Sequence, residues 1–178
     1  MRFSRRIFLG AVGVAPAFAS VEGLQRSCEV LDLGCVLPES LAGFKTQVGD
    51  LRHGDVLIVP AVPALTQAGK ETIQAWLEHG ATVLLEYVGG ARVEQGAYFP
   101  YVEYLWPVRV KIREFAPVQL TPAPGDEIIA TFLGQPVGLR RKVGDGLLIT
   151  LGSPLGPVFL TGDPDARRWL NEIAERNR

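Results

Sequence analysis

Uninterrupted apolar runs and stretches of helical periodicity take turns along this chain, most clearly between Asp55 and Gly90. Val56 to Val59 is apolar throughout and rich in β-branched residues, the pattern of a parallel strand covered on both faces, and Pro60 and Pro63 are expected to stop it. Thr66 is placed to cap a helix in which Ile73, Trp76 and Leu77 share one face. Gly80 suits the left-handed residue that follows such a helix. Ala81 to Leu85 reads as a second buried strand, and Glu86, Tyr87, Val88, Gly89 and Gly90 leave its carboxyl end. Ligands of open α/β sheets sit beyond the carboxyl ends of the strands, so this turn is where a function is expected first.

The flanking segments extend the pattern. Val30, Leu31 and Leu33 predict a first strand within Cys28 to Gly34, and Phe44 to Val48 predicts a short second one closed by Gly49-Asp50. From Phe99 to Trp106, the spacing of Val102, Leu105 and Trp106 predicts a helix that Pro107 ends. In Val108 to Phe115, apolar Val108, Val110 and Ile112 alternate with Arg109, Lys111 and Arg113, the mark of an edge strand with one wet face. Glu127 to Leu133, Val137 to Val143 and Leu147 to Leu151 predict three more strands, with turns at Gly134-Gln135-Pro136 and Gly144-Asp145-Gly146. Asp163 and Pro164 then open a last helix whose buried stripe is Trp169, Leu170 and Ile173. The expectation is an α/β fold: a mostly parallel open sheet with flanking helices, flavodoxin-like, ending in a β-hairpin before the final helix.

Length and composition fit one domain over residues 20–178, since 178 residues at 47 % hydrophobic content suffice for a sizeable core. The first 19 residues hold Arg2, Arg5 and Arg6, no acid, a short apolar middle and Ala17-Phe18-Ala19 before Ser20, the layout of an export signal cleaved after Ala19. Ser4-Arg5-Arg6-Ile7-Phe8-Leu9 resembles the twin-arginine translocation signal, with Arg5, Arg6, Phe8 and Leu9 at its characteristic positions. That resemblance implies a periplasmic or otherwise exported protein that crosses the membrane folded, often with a cofactor or in the company of a partner, and meets the membrane only transiently, an uncleaved tether being the alternative. Without the leader, 15 basic residues face 19 acidic ones, which leaves no basic field for nucleic acid.

The segment GDVLIVPAVPALTQAGKETIQAWLEHGATVLLE, with the later VGDGLLITLG, resembles the class I glutamine amidotransferase-like superfamily over roughly residues 50–155. It is most similar to non-catalytic members such as the trimerisation domain of bacterial β-galactosidases. Active members carry a nucleophilic Cys on the turn after the strand matched by Ala81 to Leu85, and a His and an acid near the C-terminus. Here the nucleophile position falls on or next to Tyr87, and both histidines, His53 and His79, come before that turn. Nucleophile and base are both missing from those places, so glutamine hydrolysis is not expected and the resemblance points to a binding or assembly module; no cofactor is expected.

The residues themselves leave several chemistries open. Glu86 could serve as a general base beside the Tyr87 hydroxyl in a small hydrolase or lyase, or its carboxylate could cap a neighbouring helix or pair with Arg92. Cys28 and Cys35 are the only thiols, and in an exported protein they invite a disulfide. In one continuous strand they would lie about 23 Å apart, so a bond requires a bend, which Gly34 could supply; two separate thiols are the alternative. Neither histidine has metal-ligand spacing, and neither Gly89-Gly90 nor Gly144-Asp145-Gly146 matches a phosphate loop. Tyr98, Phe99, Tyr101, Tyr104 and Trp106 form the densest aromatic cluster. Tyr98, Tyr101 and Tyr104, with Gly89 and Gly90, are thus the candidate surface for a sugar or other small ligand, a protein partner or a second copy of the chain. An accessory subunit exported with a larger partner is a further reading.

Overall fold

The computed structural model describes residues 27–49, 51, 55–89, 101–104, 106, 110–113 and 118–176. Arg5, Arg6, Phe8, Leu9, His53, Gly90, Arg92 and Tyr98 lie outside them. The first part of the described chain runs β1 (Cys28–Val30), α1 (Pro38–Val48), β2 (Val56–Val62), α2 (Gln67–Glu78) and β3 (Thr82–Tyr87). Five strands follow, β4 (Tyr101–Tyr104), β5 (Val110–Arg113), β6 (Glu127–Phe132), β7 (Gln135–Val143) and β8 (Gly146–Leu151), and then α3 (Gly156–Leu160) and α4 (Pro164–Glu175).

All eight strands join one sheet in the order β1-β2-β3-β8-β7-β6-β4-β5. The parallel pairing expected from the sequence occupies one half of it: β1 with β2, β2 with β3 and β3 with β8. The other half is antiparallel, from β8 through β7, β6 and β4 to β5. The change has a simple cause. Parallel neighbours need a long crossover, which α1 supplies between β1 and β2, α2 between β2 and β3, and the whole β4–β7 segment between β3 and β8, whereas the short β6–β7 and β7–β8 turns can only fold a strand back on its neighbour. The alternating segment within Val108 to Phe115 becomes β5, the outermost strand, as its wet face suggested.

Three local expectations are corrected. Phe44 to Val48 is not a strand but the end of α1, whose buried positions Ser40, Gly43, Phe44 and Gln47 repeat at helical spacing behind a first-turn proline. Where a helix is expected over Phe99 to Trp106, the described residues Tyr101–Tyr104 form a strand instead, paired with β5 on one side and β6 on the other. A segment bounded by Pro100 and Pro107 is too short to hold a helix by its own hydrogen bonds, and two ladders satisfy its backbone instead. Finally, β2 does not stop at Pro60. It runs on to Val62 through a bulge, where Pro60 and Ala61 together stand opposite the single residue Glu86.

The strands of the parallel half carry apolar residues on both faces. Val56, Ile58, Leu84, Ile149 and Leu151 meet Phe44 of α1, Phe159 of α3 and Trp169, Leu170 and Ile173 of α4. On the opposite face Leu57, Val59, Val83 and Leu85 meet Ile73 and Leu77 of α2. Thr66 caps α2 through its side-chain oxygen, Gly80 follows with φ of 83°, and Asp163 caps α4, all where the sequence placed them. Helices α1 and α3 touch backbone to backbone. A methyl group on Gly43 would lie within 1.8 Å of the Gly156 carbonyl oxygen, and one on Gly156 within 2.2 Å of Ser40.

Candidate functional site

The turn after β3 is built from the bulge upward. Pro60 has no N–H to give, and Ala61, at φ 41°, turns its own N–H out of the ladder. The Glu86 side chain, directly across on β3, collects it: Ala61 donates to Oε2 at 3.0 Å. Ser40 Oγ of α1 donates to the same oxygen at 2.5 Å, and the Leu155 N–H, at the start of α3, donates to Oε1 at 2.5 Å. The Gly156 N–H adds a fourth donor. Glu86 therefore ties the bulge of β2, the first turn of α1 and the entry to α3 into one buried knot, with no exposed surface of its own. Burial pushes the carboxyl up to about 7, against the lowering influence of its four donors.

Tyr87 is the next residue and points the other way, because successive strand residues face opposite sides of a sheet. Glu86 lies on the α1 and α3 side, whereas Tyr87 is 37 % exposed on the α2 side. The structure thus separates the pair that the sequence offered as an acid/base site. The Tyr87 ring is backed by Gly89, at φ 56°, where a side chain would press on the ring at 3.4 Å.

Tyr87 forms one end of a groove of about 360 Å³ on this second face. Helix α2 packs on β2, β3 and the β7–β8 turn end of the sheet, and beside it Leu148 and Thr150 of β8 and Leu139 of β7 form the groove floor. The far wall is Arg141, which forks onto Asp126 with Nε to Oδ1 at 2.7 Å and Nη2 to Oδ2 at 3.0 Å. The Asp126 side chain is only 5 % exposed and also takes the Ala123 N–H. Its fork with Arg141 and that N–H hold the carboxyl below its ordinary range, and the same contact raises the guanidinium further. The chain from Val118 to Thr121 closes the third side, pinned by Val118 N–H to Gly152 O and Leu120 N–H to Pro136 O.

The cysteines do not form the disulfide considered above; both are reduced. Asp32 Oδ1 accepts the N–H groups of Gly34 and Cys35, and the chain turns away from β1 there. This directs the Cys35 thiol to the Leu37 carbonyl at 3.2 Å, while Cys28 stays at the amino end of β1 beside Val56. Burial pushes the Cys28 thiol up to about 11 and also raises that of Cys35, so neither is an activated nucleophile at neutral pH. His79 sits at the end of α2 with Nδ1 2.6 Å from the Ala75 carbonyl oxygen. No group of three His, Cys, Asp or Glu residues among the described ones could hold a metal, and no helix among them is long and apolar enough to cross a membrane. Tyr101 and Tyr104 stand at the two ends of β4, opposite Arg113 and Val110 of β5.

The groove residues Asp126 and Arg141 were not singled out from the sequence, although their fifteen-residue separation spans one hairpin, where two strands place such residues side by side. Ser40 and Leu155, two of the four donors to Glu86, left no signal, since each is ordinary in its own segment.

An α/β protein with a mixed sheet, closed among the described residues by α1, α3 and α4 on one face and by α2 on the other, is the class that this geometry defines. No protein-family profile and no curated protein matches the sequence. Among solved structures the fold is similar to the β-galactosidase of Bacillus circulans sp. alkalophilus, at 15 % identity and a TM-score of 0.50 over 68 % of this chain and 22 % of that one. Weaker likenesses are to the exo-β-1,4-mannosidase Op5Man5 from Opitutaceae bacterium strain TAV5, at 18 % identity and TM-score 0.41, over 68 % of this chain and 24 % of that one. The cold-adapted β-galactosidase of Rahnella sp. R3 follows at 16 % identity and TM-score 0.42, over 60 % of this chain and 22 % of that one. This chain spans less than a quarter of each of these proteins.

Proposed function

We propose that this chain is an exported, non-catalytic binding or assembly module of amidotransferase-like fold. The observation that carries the reading is the fate of Glu86. Its carboxylate is wholly enclosed and engaged by four donors, and Tyr87 lies on the other side of the sheet, so the two cannot act on one substrate. The hydrolase or lyase reading needs them together. A chain of this fold that spans 22 % of a β-galactosidase supports an accessory role alongside a larger partner or a second copy, and the twin-arginine-like Arg5-Arg6 leader supports export in the folded state. Tyr101 and Tyr104, on β4 and one strand in from the sheet edge, are the residues assigned to the partner contact.

The test is recovery of the protein, tagged after Arg178, from the exported fraction of its native host at its native level. A stoichiometric companion is expected, retained in Glu86→Gln and lost in the Tyr101→Ala/Tyr104→Ala double variant. A lone monomer in all three cases would overturn the assembly reading.

A further inference from the structure

We infer that the groove between Tyr87 and Arg141 is a binding site for a neutral saccharide. The inference deepens the binding-module reading by naming a ligand class for a surface that the assembly contact at β4 does not use. Its volume of about 360 Å³ falls in the range of about 300–1,000 Å³ usual for small-molecule sites. The lining is the reason for the ligand class.

One end offers the Tyr87 ring, 37 % exposed, with the backbone of Gly89 close to its edge. An aromatic face of this kind suits the C–H face of a pyranose ring, apolar on one side and hydroxylated at its rim. The opposite wall offers fixed polar groups. Arg141 spends two of its five N–H donors on Asp126 and is still 40 % exposed, so the remaining donors are available to hydroxyl oxygens. Thr121 and Thr150 add hydroxyls that can donate or accept. The aliphatic floor of Leu139 and Leu148 lies between the two walls.

The same wall argues against other ligands. Asp126 cancels the Arg141 charge at contact distance, and Arg140 is likewise engaged by Glu127, so among the described residues the groove lining offers no spare cation for a phosphate or a uronate. An extended peptide would need free backbone donors and acceptors. The groove floor is the face of β8, whose backbone is already paired with β3 on one side and β7 on the other.

The experiment is an NMR titration of the purified protein with cellotriose, maltotriose and mannotriose, with trigalacturonate and trialanine as the anionic and peptide probes. At least one neutral trisaccharide is expected to shift the amide signals of Tyr87, Leu148 and Arg141 with Kd of about 1 mM. Tyr87→Ala should weaken that binding about tenfold, with Tyr87→Phe retaining most of it. Thr121→Val, on the exposed rim of the groove, should weaken it about threefold and leave recovery of any stoichiometric partner unchanged. Shifts with trigalacturonate or trialanine alone, no shifts with any probe, or unchanged affinity in both Tyr87→Ala and Thr121→Val would overturn the saccharide site. Loss of the saccharide site with the partner still recovered would leave the assembly reading standing, and the reverse result would separate the two the other way.

Discussion

Glu86 and Asp126 are both carboxylates that accept backbone N–H groups, on opposite faces of one sheet, and their surroundings push them in opposite directions. Glu86 lies on the face covered by α1, α3 and α4, fully buried with four donors, and burial outweighs the donors, so its carboxyl rises to about 7. Asp126 lies at the rim of an open groove with a guanidinium in bidentate contact, and its carboxyl falls. The closed face uses its acid to hold elements together. The open face keeps its acid charged and paired with a half-exposed arginine. The difference follows from how many helices cover each side, which makes the first face a structural core and the second a place where a ligand can be met.

The sharpest way to break this contrast is to force the closed face apart. Gly43→Ala places a methyl group 1.8 Å from the Gly156 carbonyl oxygen, and backbone on both sides cannot give way cheaply. A loss of about 4 kcal/mol in urea unfolding, or failure to accumulate in soluble form, is expected. Thr121→Val on the open face should stay within about 0.5 kcal/mol of the parent in the same assay.

The next effect is the pH dependence tied to Glu86. The native state holds the proton up to about 7, whereas the unfolded chain releases it near 4.5. Unfolding between these values sheds a proton, so this group's contribution is greatest below pH 4.5, declines as pH rises to about 7, and is level above that. The full swing is on the order of 3 kcal/mol. Urea midpoints at pH 5 and pH 8 should therefore differ in the parent protein, and the difference should shrink in Glu86→Gln, which keeps the shape but does not titrate. Equal pH dependence in the two proteins would mean that Glu86 ionises in the native state much as it does in the unfolded chain.

The smallest effect belongs to the open face. The Asp126 carboxyl is lowered from its ordinary 3.8, so its contribution is present above that value and lost as pH falls below it. Asp126→Asn should cost about 0.5 kcal/mol at neutral pH, because Arg141 is well solvated, and remove a small loss of stability in acid. Its sign is opposite to that of Glu86, and measuring both variants over one pH series sharpens the comparison.

The parts that could be read from the chain were those with a local cause. Thr66, Gly80, Asp163 and Pro164 mark helix ends by side-chain and backbone preferences that act within a few residues, and all stand where expected. The alternation of Val110, Lys111, Ile112 and Arg113 announced an edge strand, because a strand with one wet face leaves a period of two in the sequence. Helix α1 was misread because its buried stripe is Ser40, Gly43, Phe44 and Gln47, with one large apolar residue among four. Its face is small because α3 comes so close, and that closeness is a tertiary fact. The strand at Tyr101–Tyr104 was misread for the complementary reason: its pairing partners lie on β5 and β6, and partners on other strands leave no mark within four residues.

The candidate site divides along the same line. That Glu86 and Tyr87 sit at the carboxyl end of a buried strand is fixed by the apolar run before them, and strand alternation alone sends them to opposite sides. What each one meets there was decided by the fold. Residues 46 and 69 positions away in the chain deliver the hydroxyl and the N–H that enclose Glu86. The hairpin of β6 and β7, with the loop leading into it, brings Asp126 and Arg141 to the groove that Tyr87 opens. Hydrophobic pattern and capping chemistry act over a turn or a strand and so are written locally. The environment that sets the charge and exposure of a carboxylate is the sum of distant segments packed around it, and that sum exists only in the folded protein.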